Sequence, residues 1–202
     1  MNSSFKKRAL SYLGFKGIDD GADDAISKSL KEIEKIANFR YLYRVFDEAP
    51  EFARAEPYST FLKDCDKVIL CVTTLGAEID RRIKVLAKSD LYLSMVLDAC
   101  ASAYLEERAD EFEKGIADNL TYRFCPGYGG SDIADIRHIF ALVRPERAGI
   151  TLTSEGYMLP FKSMAGIIGV GGKSKKSCGG CAMVAHCRFL KEGGRCYGSE
   201  NA

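Results

Sequence analysis

Two groups of residues in this sequence combine types and spacings that can do chemistry. Cys178-Gly-Gly-Cys181, Cys187 and Cys196 put four thiols within nineteen residues. Thiolates select zinc or iron-sulfur clusters over hard cations, and the glycines between the first pair permit the tight turn that aims two sulfurs at one ion. Structural zinc sites more often use two separated Cys-x-x-Cys pairs. With one such pair here, an iron-sulfur cluster is the expectation and zinc the alternative. His186 reads as a neighbour of the ligand set, because four cysteines need no further donor. The second group is Arg123-Phe-Cys-Pro-Gly-Tyr128. A guanidinium pairs bidentately with a carboxylate, a glycine lets backbone approach a ligand, and tyrosine adds a flat face tipped with a hydroxyl. Composition alone also fits an ordinary strand-to-loop turn.

The elements that must position these residues follow from periodicity. A short basic N-terminal stretch precedes the run 25–37, where Ile26, Leu30, Ile33 and Ile36 fall at helical spacing. The run 39–46 alternates instead, with Arg40 and Arg44 opposite its aromatic and aliphatic side chains, and suits a strand. Lys67 to Thr74 is a continuous apolar run of strand length, best placed in the middle of a sheet and buried on both faces. Gly76 opens a helix bearing Ile79, Ile83 and Leu86, and the stretch 90–118 reads as one long helix. A short strand over 120–124 leads to the Pro126-Gly127 turn. Ser131 or Asp132 can then cap a helix that Pro145 stops. Segments 149–153, 157–161 and 163–170 read as strands or extended pieces. Helices and strands mix without a regular βαβ repeat, which predicts an α+β domain with a largely antiparallel sheet.

The chain has 202 residues, 47% of them hydrophobic and 28% charged, the balance of a globular protein. Its formal net charge of +1 offers no global field for nucleic acid or anionic lipid. The charge is uneven, however. From Gly172 onward six Lys or Arg stand against Glu192 and Glu200, so this part is +4 and the remainder −3. Cations there compensate an anionic thiolate cluster, or form a plain solvated basic tail. With six glycines and few large apolar residues, 172–202 cannot build a core alone, so we divide the chain into a domain at 1–171 and a metal-binding tail at 172–202. No apolar leader or membrane-length run is visible, so the expected location is the cytoplasm, where thiols stay reduced. Cys65, Cys71, Cys100 and Cys125 are then expected to be small buried side chains.

The Arg-x-x-Pro-Gly-Tyr segment resembles the Arg-x-x-x-Gly-Tyr signature of the S-adenosylmethionine-binding activation domain of vitamin B12-dependent methionine synthase. Thr73-Thr-Leu-Gly-Ala-Glu-Ile-Asp80, Leu97-Asp-Ala-Cys-Ala-Ser102 and the segment from Gly149 through Gly169 are similar to stretches of short, stand-alone relatives of that domain. The resemblance implies a twisted antiparallel sheet flanked by helices, with S-adenosylmethionine held across the sheet edge. It implies that Arg123 holds the methionine carboxylate, that the backbone at Cys125 meets the adenine beside Gly127, and that Tyr128 packs near the reactive end. Short relatives end in a Cys-x-x-Cys pair and a third nearby cysteine, matched here by Cys178, Cys181 and Cys187. Two departures stand out. Gly171, Gly172 and Lys173 follow where full-length synthases supply a further tyrosine, and Leu152-Thr-Ser-Glu155 moves a carboxylate by one position, so Glu155 receives no role.

The function so implied is reactivation of a corrinoid methyltransferase, in which S-adenosylmethionine supports reductive methylation of cob(II)alamin held by a partner. That partner would be a corrinoid-binding methionine synthase or another corrinoid protein, with flavodoxin or ferredoxin as possible electron donors. The chain would be an accessory component, with no catalytic residue assigned. Asp98 and Glu106, two helical turns apart, can share a face toward the ligand or simply face solvent. A competing reading is a non-catalytic corrinoid or S-adenosylmethionine-binding partner protein with a structural zinc tail. An independent small-molecule methyltransferase is disfavoured, because no glycine-rich strand-loop-helix of Rossmann type is present.

Overall fold

The computed structural model describes residues 3–14, 20–172, 184–186 and 188–191. Lys67–Thr74 forms the central strand, β2, and all its side chains after Lys67 are buried. It is flanked by β1 (Arg40–Phe46) and β5 (Ser163–Val170), both antiparallel to it, in the order β1-β2-β5. The apolar run is doubly covered because helices pack on both faces. Val68, Leu70 and Val72, with Ala165 and Ile167, face α3 (Tyr58–Leu62) and α6 (Ile136–Val143). Ile69, Cys71 and Ile168 face the other way, toward Ile116 and Leu120. A separate two-stranded ribbon pairs β3 (Thr151–Leu152) with β4 (Met158–Leu159), shorter than the extended segments expected at 149–153 and 157–161.

On the second face lies α5, Leu91–Glu113, opened by Asp90, whose side chain accepts from the Leu93 amide at 2.9 Å. Its Ala99, Cys100, Ala101, Ala103 and Ala109 are buried, and these small side chains let neighbouring helices approach on more than one side. Those neighbours are α2 (Asp20–Ile36), α4 (Ala77–Leu86) and the N-terminal α1 (Ser3–Leu13). The basic N-terminal stretch is thus a helix. Phe5, Ala9 and Leu10 enter the core beside α5 at helical spacing, a period that the interleaved lysines and arginine obscure in the sequence.

Two further expectations are corrected. The long helix stops at Glu113 rather than running to Asp118: Gly115 and Ile116 turn back with amide bonds to the carbonyls of Phe112 and Glu113, tightening the last turn before Asn119 adopts a left-handed backbone (φ 57°). Segment 120–124 is not a full strand but two isolated bridges on the free edge of β5, Leu120 to Val170 and Phe124 to Ile167. Between them the Gly169 amide donates to the Thr121 hydroxyl at 2.8 Å, so a side chain interrupts the backbone ladder. Asp132 caps the turn into α6, and α6 ends at Val143, before Pro145, with Arg144 left-handed. A short α7, Arg188–Lys191, is the last described helix. Among the described residues no helix is long and apolar enough to cross a membrane.

Candidate functional site

Asp98, Ser102, Glu106 and Asp110 recur every four residues along α5 and so form one stripe, with Glu113 close to its end. At its near end Lys162 pairs with Asp98 at 2.8 Å and donates to the Ser102 hydroxyl at 2.9 Å. Along its middle, α1 contributes two side chains one turn apart. Arg8 pairs with Asp110 at 2.6 Å and Glu106 at 3.5 Å, while the Tyr12 hydroxyl donates to Glu106. At its far end stands Arg123, delivered by the segment along the free edge of β5.

The side chain of Arg123 is only 7% exposed, and its guanidinium pairs with Glu113 and, at 3.2 Å, with Asp110. It reaches them by crossing β5 at Gly166. A Cβ placed there would lie 2.9 Å from Arg123 Cδ and closer still to Cγ. Below the guanidinium, the Tyr41 hydroxyl of β1 donates to Glu113 at 2.8 Å. Burial works against the charge on Arg123, yet Glu113, then Cys125, Cys71 and Asp110, hold its pKa above the ordinary arginine value. Burial raises the Glu113 carboxyl, with Arg123 and Tyr41 opposing the shift, and it pushes the neighbouring Cys71 thiol up to about 12. Tyr12 and Tyr41 are also raised, by burial first and then by Glu106 for Tyr12 and by Cys71 and Glu113 for Tyr41.

The Pro-Gly turn is set beside this cluster. Gly127 has φ +89° and its amide donates to the Ser131 hydroxyl at 3.1 Å, while Ser131 donates to the Tyr128 carbonyl at 2.7 Å. A side chain at Gly127 would meet Ile133 at 3.0 Å in a backbone region that other residues rarely adopt. Tyr128 is 58% exposed, and its phenol is one of the groups that raise Tyr12. Cys125 is half-buried, as is Cys65, whereas Cys71 and Cys100 are fully buried as expected for all four.

Of the residues picked out in sequence, Arg123 is buried in the acidic cluster at the end of α5, and Tyr128 is exposed on the turn that follows it. Asp98 and Glu106 share the α5 stripe, but Asp98 is paired with Lys162 and Glu106 with Arg8. Arg8, Tyr12, Tyr41, Asp110 and Glu113 escape the sequence reading. The four-residue recurrence along α5 carries the signal for Asp110; nothing local carries it for the others. Recesses of about 420 Å³ beside Asp80, Lys84 and Phe161, and about 620 Å³ beside Phe52 and His138, lie elsewhere.

Two donors in this cluster have no acceptor. Nε of Arg123 and Nε of Arg8 are inaccessible to solvent and make no hydrogen bond, while Nη1 of Arg8 is held only by its 3.5 Å ion pair to Glu106. Buried polar groups are nearly always satisfied, so these nitrogens are unmet hydrogen-bonding capacity in the cluster. The donor set is wrong for a metal, and among the described residues no group of three or more His, Cys, Asp or Glu is arranged to hold one. Cys178, Cys181, Cys187 and Cys196 lie outside the described residues.

No family model matches the chain, and no curated protein matches it. Among solved structures it is similar to the crystal structure of the MetH reactivation domain bound to AdoHcy, with a TM-score of 0.61 over 87% of this chain and 77% of that one. The chain has the reactivation-domain fold. At 14% identity the likeness is one of architecture: an α+β fold with an antiparallel sheet flanked by helices, as the sequence resemblance implied. Within the reactivation-domain fold the charged cluster described above joins α1 and α5 to the segment along the free edge of β5.

Proposed function

We propose that this protein binds S-adenosylmethionine (AdoMet) along the β5 edge and reactivates a corrinoid methyltransferase by supporting reductive methylation of its cob(II)alamin. The observation that supports this most is Arg123: a guanidinium held in the charged cluster, charged despite burial, with Nε lacking an acceptor. It occurs in a chain sharing its fold with a domain solved with AdoHcy.

In this reading Arg123 takes the ligand carboxylate, backbone at Cys125 meets the adenine, Gly127 allows close approach, and Tyr128 packs near the sulfonium. Bound there, AdoMet supplies an electrophilic methyl group, for which a corrinoid carrying one added electron is the acceptor. The chain's own work is orientation: Glu113 and Asp110 hold Arg123 in place, and the α5 carboxylates favour a cationic ligand. No general acid, general base or nucleophile is needed. The partner is a methionine synthase or another corrinoid protein. The tail cysteines Cys178, Cys181, Cys187 and Cys196 would hold an iron-sulfur cluster, or zinc, and metal analysis with visible absorbance distinguishes the two.

Anaerobic titration of the purified protein with AdoMet tests the reading directly. Saturable binding by the wild type and at least about tenfold weaker binding by Arg123→Ala are expected, from loss of a charge-assisted hydrogen bond. Equal affinities would remove Arg123 from the site, and no binding by either would end the proposal.

A further inference from the structure

Two guanidiniums, not one, stand in the charged cluster. Asp110 bridges them, with Oδ2 at 2.6 Å from Arg8 and Oδ1 at 3.2 Å from Arg123. Both arginine side chains are nearly buried, 12% and 7% exposed. An arginine kept only to brace a helix is expected to have its donors satisfied, since each buried unsatisfied group is costly. Arg8 instead makes its hydrogen bond to Asp110 through Nη2 and a longer ion pair to Glu106 through Nη1, leaving Nε inaccessible and without an acceptor. With the Nε of Arg123, two donor nitrogens, one on each arginine that Asp110 bridges, lack an acceptor.

We propose that Arg8 of α1 is a second carboxylate-binding guanidinium of this cluster, so that α1 and Arg123 together read the α-amino acid terminus of the ligand. The proposal rests on the AdoMet-binding reading above and adds a residue and a specificity to it. The charges decide the ligand class. Arg8 and Arg123 stand against Glu106, Asp110 and Glu113, with Glu107 also acting on Arg8, so the cluster carries an excess of negative charge. A phosphate dianion would be repelled by that balance. An amino acid zwitterion fits it: its carboxylate meets the two guanidiniums, and its ammonium meets a stripe carboxylate. Asp110, 39% exposed, already bridges both arginines, so Glu106, a quarter exposed, is the carboxylate left to meet it. A purely structural Arg8 would stabilise α1 against α5 and be indifferent to what the ligand carries at that end.

Titration with three ligands separates these cases: AdoMet, AdoHcy, and 5′-methylthioadenosine, which shares the nucleoside and thioether but lacks the amino acid. Arg8→Met is expected to weaken AdoMet and AdoHcy at least about tenfold and to leave methylthioadenosine unchanged. Arg8→Lys, which keeps the charge and loses the fork, should fall between. Unchanged AdoHcy affinity in a folded variant overturns the proposal, as does equal weakening of all three ligands. Should neither variant fold, the wild type still decides: the Arg8 Nε–H resonance must shift with AdoHcy and stay fixed with methylthioadenosine, and no shift with AdoHcy refutes the assignment. A wild type that binds none of the three fails at the underlying reading, an outcome distinct from failure of Arg8 alone.

Discussion

Gly166→Ala is the sharpest probe of how Arg123 is held. Gly166 sits in β5 opposite Cys71 in register, and its backbone lies outside the left-handed region, so alanine brings no dihedral strain. The effect must be steric. The new methyl would fall 2.9 Å from Arg123 Cδ, closer to Cγ, and 3.3 Å from the Phe124 carbonyl. A free side chain would swing aside, but this one is fixed at its far end by Glu113 and Asp110. Relief therefore requires shifting the 120–124 segment or breaking the ion pair. Overpacking of this kind costs about 1–3 kcal/mol, or roughly 3–10 °C in Tm for a chain of this size. Arg123→Ala removes the obstructing stem, so the alanine at 166 should cost under about 0.5 kcal/mol in that background. Urea denaturation of wild type, both single variants and the double variant gives the coupling, and AdoMet titration of Gly166→Ala should show lost affinity. Strict additivity, or a Gly166→Ala protein with wild-type stability and binding, would refute the packing argument.

Glu113 provides a test by pH. Burial raises its folded pKa, so its contribution is most favourable below the unfolded glutamate value, about 4.3, and is lost as pH rises through the folded value. The stability of wild type relative to Glu113→Gln, from urea midpoints, should therefore decline from acid toward neutral pH; the exposed carboxylates of Asp47, Glu56 and Glu155, lowered by their hydrogen bonds, are common to both proteins and cancel. Cys71 and Cys100, buried and both pushed up to about 12, should resist a disulfide-exchange reagent at pH 8 until the protein unfolds, as thiol counting with and without denaturant will show. Asp90→Ala should remove the α5 cap at a cost of about 1 kcal/mol in urea denaturation while leaving AdoMet affinity unchanged.

The parts legible in sequence are those whose signal is local. The uninterrupted run from Lys67 to Thr74 could only be an interior strand, and β5 follows from Ser163 to Val170 for the same reason. The Arg123 to Tyr128 turn is legible through its resemblance to a known signature, since its composition alone also fits an ordinary turn. Its surroundings are not. The burial of Arg123 depends on Gly166, far along the chain, and on an acidic helix face whose partners come from α1. That helix is hidden because Lys6, Lys7 and Arg8 interrupt its apolar period, although Phe5, Ala9 and Leu10 are each at most 4% exposed. Likewise, the ending of α5 at Glu113 places a carboxylate where the sequence pattern predicts five more helical residues.

The segment that carries Arg123 also covers the free edge of β5. Open edges invite pairing with other chains, and here the two bridges of 120–124 and the Thr121 hydroxyl satisfy part of that edge. Arg123 then fastens the cover to α5 through Glu113 and Asp110. Ligand recognition and edge protection thus share one side chain, which predicts linkage between them. A carboxylate that satisfies the orphaned donors of Arg123 and Arg8 ties the cover down more firmly, so ligand at a hundredfold its Kd should stabilise the fold by about 2.7 kcal/mol. Hydrogen exchange should slow first at the amides of Phe124 and Ile167, which bond each other's carbonyls across that edge at 2.8 Å. Stabilisation spread evenly over the chain, with no added protection at those two amides, would mean that the ligand sits away from the β5 edge.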